Sequence, residues 1–109
     1  MRKLTDAGRY TVATGSRPNH FAEHLRTDQL SVGTYSIPAG GLDDQKPHRE
    51  DEIYVVTEGR ARLITDSGTV DVAAGDTVYV PAGEGHRFTD ITEDLALLVL
   101  FAPPYSGRG

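Results

Sequence analysis

From residue 29 onward, short runs of β-branched, aromatic and aliphatic residues alternate with brief breaks rich in glycine, proline and acids. The runs are QLSVGTYSI, EIYVVT, RARLIT, TVDV, DTVYV, HRFTDI and LALLVLF, and the breaks are PAGG, EG, DSG, AAGD, PAGEG and TED. Residues of the first kind suit a pleated surface and those of the second turn the chain. Roughly seven or eight short strands with no convincing helix between them predict an all-β domain, an antiparallel sandwich or barrel. The first 28 residues are ambiguous. NHFAEHL fits one or two helical turns with Asn19 as N-cap, or an irregular arm. The PPYSGRG tail cannot continue a ladder because of its two prolines. The organisation expected is an N-terminal arm at 1–28, a barrel domain at 29–104 and a tail at 105–109.

The last run, LALLVLF, is apolar at both parities, so this strand requires cover on both faces. A homodimer or an N-terminal arm folded over the outside would supply it, as would a place between the two sheets of a sandwich.

Composition narrows the partners. The chain has 109 residues, enough for one domain, which at this size buries roughly 65% of its unfolded surface. Its formal charge is -5, and the 11 bases are scattered rather than clustered, which argues against nucleic acid and acidic membrane surfaces as partners. With no cysteine, disulfides, thiolate metal sites and cysteine nucleophiles are excluded. No apolar stretch approaches the length of a membrane span, and a soluble, cytoplasmic protein is the expectation.

Candidate chemistry concentrates in QKPHREDEIYVVTEG at 45–59. On a straight strand His48 and Glu52 would stand about 13 Å apart, too far to share an ion. A bend at Arg49-Glu50-Asp51, with His48 ending one strand and Glu52 opening the next on the same inner face, would let them converge. Glu50 and Asp51 are then read as turn residues in water. Downstream, GDTVYVPAGEGHRFTD sends a tight glycine loop into His86, which heads a strand.

Together the two stretches resemble the two motifs of the cupin superfamily. The first, G-x5-H-x-H-x3-E-x6-G, fits Gly40, Lys46, His48, Glu52 and Gly59, with lysine where the first histidine belongs. The second, G-x5-P-x-G-x2-H-x3-N, fits Gly75, Pro81, Gly83 and His86, with Asp90 in place of asparagine. The resemblance implies an antiparallel jelly-roll β-barrel in which His48, Glu52 and His86 point inward and bind a divalent transition metal such as iron, manganese, nickel or zinc. It also implies a pocket for a small organic molecule, and a dimer.

Lys46 is a departure with consequences. A protonated amine is a poor ligand, which leaves two histidines and one carboxylate, the composition of a site with open coordination positions. Gln45, one residue earlier, is a candidate fourth ligand through its amide oxygen if a bulge turns it inward. Alternatively, an inward Lys46 would pair with Glu52 and replace the metal's charge in a metal-free barrel. Lysine catalysis is disfavoured, because the acids around Lys46 favour its charged form. Tyr54 and Phe88 lie two residues beyond Glu52 and His86, so alternation places them with Lys46 as pocket candidates, although core packing accounts for both aromatics as well. NHFAEHL also holds the pattern H-x-x-E-H through His20, Glu23 and His24, but without the stable helix that a zinc protease needs.

The function expected is therefore a metal-dependent dioxygenase or isomerase, with Glu52 able to act as base as well as ligand. The alternative is a module that binds a small ligand without turning it over, and fold alone does not choose between them.

Overall fold

The computed structural model describes residues 1–107. The described residues contain six strands: β1 (His20–Arg26), β2 (Ser31–Ile37), β3 (Asp51–Thr65), β4 (Gly68–Ala73), β5 (Thr77–Val80) and β6 (His86–Ala102). Every pairing is antiparallel, in the order β1-β2-β6-β3-β4, with β5 also on β3. The expected all-β antiparallel jelly-roll barrel is thus formed. No helix is long and apolar enough to cross a membrane among the described residues.

Two strands are longer than their sequence runs. EIYVVT and RARLIT join through Glu58-Gly59 into the 15 residues of β3, and HRFTDI and LALLVLF join through Thr92-Glu93-Asp94 into the 17 of β6. The breaks change the face without ending the strand. In β3 the buried positions are 52, 54 and 56, then 61 and 63; in β6 they are 86 and 88, then 91, 95, 97, 99 and 101, with Ala96 buried as well at the opposite parity. This switch of parity coincides with register shifts between Val56 and Arg62, because an extra residue in one strand turns every later side chain to the other side. The long β3–β6 pair can therefore bend around a single interior and keep its apolar residues inside throughout. Tyr35, Tyr54, Leu63, Phe88, Leu97 and Phe101 form the centre of that core.

NHFAEHL makes neither helical turns nor an irregular arm but most of strand β1, which pairs with β2. Asn19 caps no helix; its Nδ2 donates to the Leu42 carbonyl at 3.0 Å and to Asp44 Oδ1 at 2.9 Å. The residues before it do fold over the outside. Gly8 N donates to Thr34 Oγ1 at 2.8 Å, Thr11 N donates to Ser36 Oγ at 3.0 Å, and Thr57 Oγ1 donates to the Gly8 carbonyl. All seven residues of β2 are buried as a result, and Ala96 on β6 is fully covered. Cover fails toward the other end of the sheet, where Ile53 faces both Leu100 and Tyr79 and remains 39% exposed. The tail beyond β6 is anchored as far as it is described: Tyr105 N donates to Ser31 Oγ at 2.9 Å, and Arg26 donates to the Tyr105 carbonyl. Of the expected tail, residues 108–109 lie outside the described residues.

Candidate metal centre

The site forms where an irregular segment crosses the mouth of the barrel. Residues 41–48 pair in no ladder, so His48 does not end a strand; Glu52 is the second residue of β3 and His86 the first of β6. The bend at 49–50 turns the chain into β3 as expected, and Gly83 N donates to the His48 carbonyl at 2.7 Å, tying the second motif's loop to the first motif's histidine. His48, Glu52 and His86 are all buried, and each presents a ligand atom within 4.8 Å of the others.

Hydrogen bonds fix what these atoms offer. His86 Nδ1 lies 2.9 Å from the Glu84 carbonyl, which only accepts, so Nδ1 carries the proton and Nε2 presents its lone pair to the interior. Nε2 is 3.0 Å from Glu52 Oε1 and 3.0 Å from the Tyr54 hydroxyl. With neutral imidazole, Glu52 Oε1 meets a lone pair and has no donor, and it is buried; His48 Nδ1 is also buried without a partner. Gln45 Oε1 adds a further acceptor, 2.9 Å from His48 Nε2 and 2.9 Å from the Tyr54 hydroxyl. Acceptors outnumber protein donors at the centre, an excess that a cation, either a proton on His86 or a metal, would offset.

The titration behaviour follows. Burial opposes charge on His86 most strongly, but the hydrogen bonds to Glu52 and to the Glu84 carbonyl, with the charges of Glu52 and Asp43, outweigh it and raise its pKa above the ordinary 6.5. His48 shifts the other way, because burial, helped by the neighbouring His86, exceeds the pull of Glu52. Burial, then the charges of Glu52 and Asp43, pushes the Tyr54 hydroxyl well up, so it remains a donor. Two imidazoles and a carboxylate with open space beside them suit iron, manganese, nickel or zinc.

That space is a cavity of about 190 Å³, which His48 and Glu52 line and His86 does not. Phe21, Phe101 and Tyr105 form its apolar side, and Tyr105 stacks on Phe101 at 4.7 Å between ring centroids. Tyr54 lines it, whereas Phe88 does not: it sits behind Tyr54, 4.9 Å away centroid to centroid, as core. Lys46 is a correction. It is exposed, does not line the cavity and pairs with no carboxylate among the described residues. The segment has no strand alternation to turn it inward, and Gln45 takes the inward place instead. Glu50 is the opposite correction, a residue expected in water that is 3% exposed, with Oε2 accepting from Ser106 N at 3.3 Å. His20, Glu23 and His24 do not converge: Glu23 pairs with Arg26, and His24 Nε2 lies 2.7 Å from Thr34 Oγ1.

Residues 33–102 match the cupin domain family model, a span that contains both glycine-bounded motifs. The chain belongs to the cupin family. This cupin is 49% identical over 86 residues to an uncharacterized protein of Streptomyces coelicolor, covering 79% of this chain and 82% of the relative. It is 29% identical over 75 residues to a beta-D-galactosidase of Mycobacterium tuberculosis, covering 69% of this chain and 65% of that one. Among solved structures, KdgF from Halomonas sp. superposes with a TM-score of 0.75 at 17% identity, covering 86% of this cupin and 87% of that chain, a likeness of fold. Sequence reasoning missed Asp43 beneath Gln45 and, in the cavity wall, Phe21, Phe101 and Tyr105. None of these holds a fixed position in a spaced motif, and only the path of the chain brings them there.

Proposed function

We propose that this cupin binds one divalent transition metal through His48, Glu52 and His86, with Gln45 Oε1 as a fourth ligand, and acts as a dioxygenase or isomerase on a small organic molecule in the adjoining cavity. The observation that carries the reading is the buried Glu52 oxygen without a donor, 3.0 Å from a histidine nitrogen whose other nitrogen is already committed to a carbonyl. When bound, the metal would supply a Lewis acid and open coordination positions. The chain's own groups do the rest. The Glu84 carbonyl holds the His86 tautomer, Tyr54 donates toward the ligand oxygens, and the Phe21, Phe101 and Tyr105 rings seat the apolar part of the molecule and exclude water. A cavity of about 190 Å³ suits a compound somewhat larger than benzene, which fills one of about 150 Å³.

Glu52 would then be the group that moves a proton between substrate atoms. With a compound that consumes oxygen or isomerises in a broad panel, Glu52→Gln should keep its metal and lose at least about 100-fold in turnover. Unchanged turnover would remove Glu52 as the base. The second reading, a binding module without turnover, is favoured by the scarcity of further acids and bases: among the described residues Asp44 is the one other carboxylate lining the cavity, and it accepts from Asn19 Nδ2 at 2.9 Å. That reading predicts thermal stabilisation by a ligand with no product.

The apolar strip of Ile53, Leu100 and Tyr79 supports a homodimer. Sedimentation at micromolar concentration should give a dimer for the wild type and a monomer with normal metal content for Ile53→Lys. A monomeric wild type would dismiss that assembly.

A further inference from the structure

A buried carboxylate outside the ligand set organises this centre. Asp43 is 2% exposed and accepts four hydrogen bonds. Its Oδ1 receives the Tyr35 hydroxyl at 2.8 Å and Gln45 N at 3.2 Å; its Oδ2 receives Gln45 Nε2 at 2.6 Å and Phe88 N at 2.8 Å. These donors come from β2, from the irregular segment and from β6, so Asp43 joins three separate parts of the chain.

An amide side chain presents either its oxygen or its NH2, and at equal size the two ends are exchanged by a half turn. Around Gln45 the choice is forced. Asp43 Oδ2 can only accept, so the NH2 must face it, and the amide oxygen must face His48, Tyr54 and the centre. We infer that Asp43 is the positioning residue of the site: by holding the Gln45 NH2 it presents the Gln45 oxygen to the metal and prevents the amide from turning a donor toward a cation. The inference rests on the proposed metal site. It also accounts for the departure at Lys46, since a ligand from position 45 needs a second residue to aim it where no strand alternation does so.

The test is a double-mutant cycle on Zn(II) affinity, measured by chelator competition, with the side-chain amide signals of the same proteins followed by NMR. Gln45→Leu should weaken Zn(II) binding by about 10- to 100-fold, as should Asp43→Asn, and the double variant should be no weaker than the weaker single one. Multiplying losses, or a Gln45→Leu variant of wild-type affinity, would overturn the inference. In the wild type the Gln45 NH2 pair, assigned by its disappearance in Gln45→Leu, should exchange slowly and stay in place when Zn(II) is added. Exchange at the solvent rate would overturn the inference even if Asp43→Asn failed to fold. A wild type that takes up no Zn(II) would defeat the metal reading separately. Positioning would then be decided by the amide alone, with slow exchange supporting it and fast exchange ending it.

Discussion

Protein purified without chelator should carry close to one divalent metal per chain by elemental mass spectrometry, and a His48→Ala, His86→Ala variant should carry almost none. Two of the three side chains that converge within 4.8 Å are removed, and only the Glu52 carboxylate and the Gln45 amide oxygen remain to hold the ion. If the ligands share the roughly 10–16 kcal/mol of a typical structural zinc site, affinity should drop at least a thousandfold. The sign of the proton's effect is fixed as well. The raised pKa of His86 means that an imidazolium paired with Glu52 supports the metal-free fold at low pH, a contribution lost as pH rises through that raised value. An ion must displace that proton, so uptake strengthens with pH, and loading belongs above the ordinary histidine range. Protein that stays empty after exposure to Fe(II), Mn(II), Ni(II) and Zn(II) would end the metal reading and turn the search from reactions to ligands.

Gly59→Ala should be among the most destabilising single substitutions in the molecule. Gly59 has φ +91°, and a Cβ there would lie 2.2 Å from the Asp94 carbonyl oxygen and 2.9 Å from Leu95 Cα. These are backbone atoms of β6 at the point where both long strands change face, so relief requires moving a strand rather than a side chain. A left-handed conformation costs an alanine roughly 1–2 kcal/mol, and forcing atoms into a packed interior adds about 1–3 kcal/mol more. A total of about 2–5 kcal/mol is a large part of a typical domain's 5–15 kcal/mol. Gly75→Ala is the control. Its φ is +101°, but nothing lies within 4 Å of the added carbon, so only the conformational cost of about 1–2 kcal/mol applies. Urea unfolding should give a far lower midpoint for Gly59→Ala than for Gly75→Ala at similar slopes. Equal midpoints would mean that the strand crossing is softer than its contacts require.

Most strands were legible because their evidence is local. EIYVVT, TVDV and DTVYV carry β-forming residues between turn residues, and β3, β4 and β5 form there. The junctions were not. Glu58-Gly59 and Thr92-Glu93-Asp94 read as turns because glycine and acids usually end strands, yet here they make bulges inside continuous ladders, a distinction set by the partner strand. His20–Arg26 misled for the same reason, since its strand conformation depends on the long-range pairing with β2.

The sequence by itself determined the family, the barrel and the residues His48, Glu52 and His86, because motif spacing and strand alternation are properties of the chain's own order. Tertiary structure alone decided that Gln45 and not Lys46 faces the centre, that Glu50 is buried, that Phe88 packs behind Tyr54 and that Tyr105 closes the cavity wall. Those outcomes arise where the chain follows no ladder. There the direction of a side chain depends on which buried donors and acceptors wait for it, as Asp43 waits for the Gln45 amide.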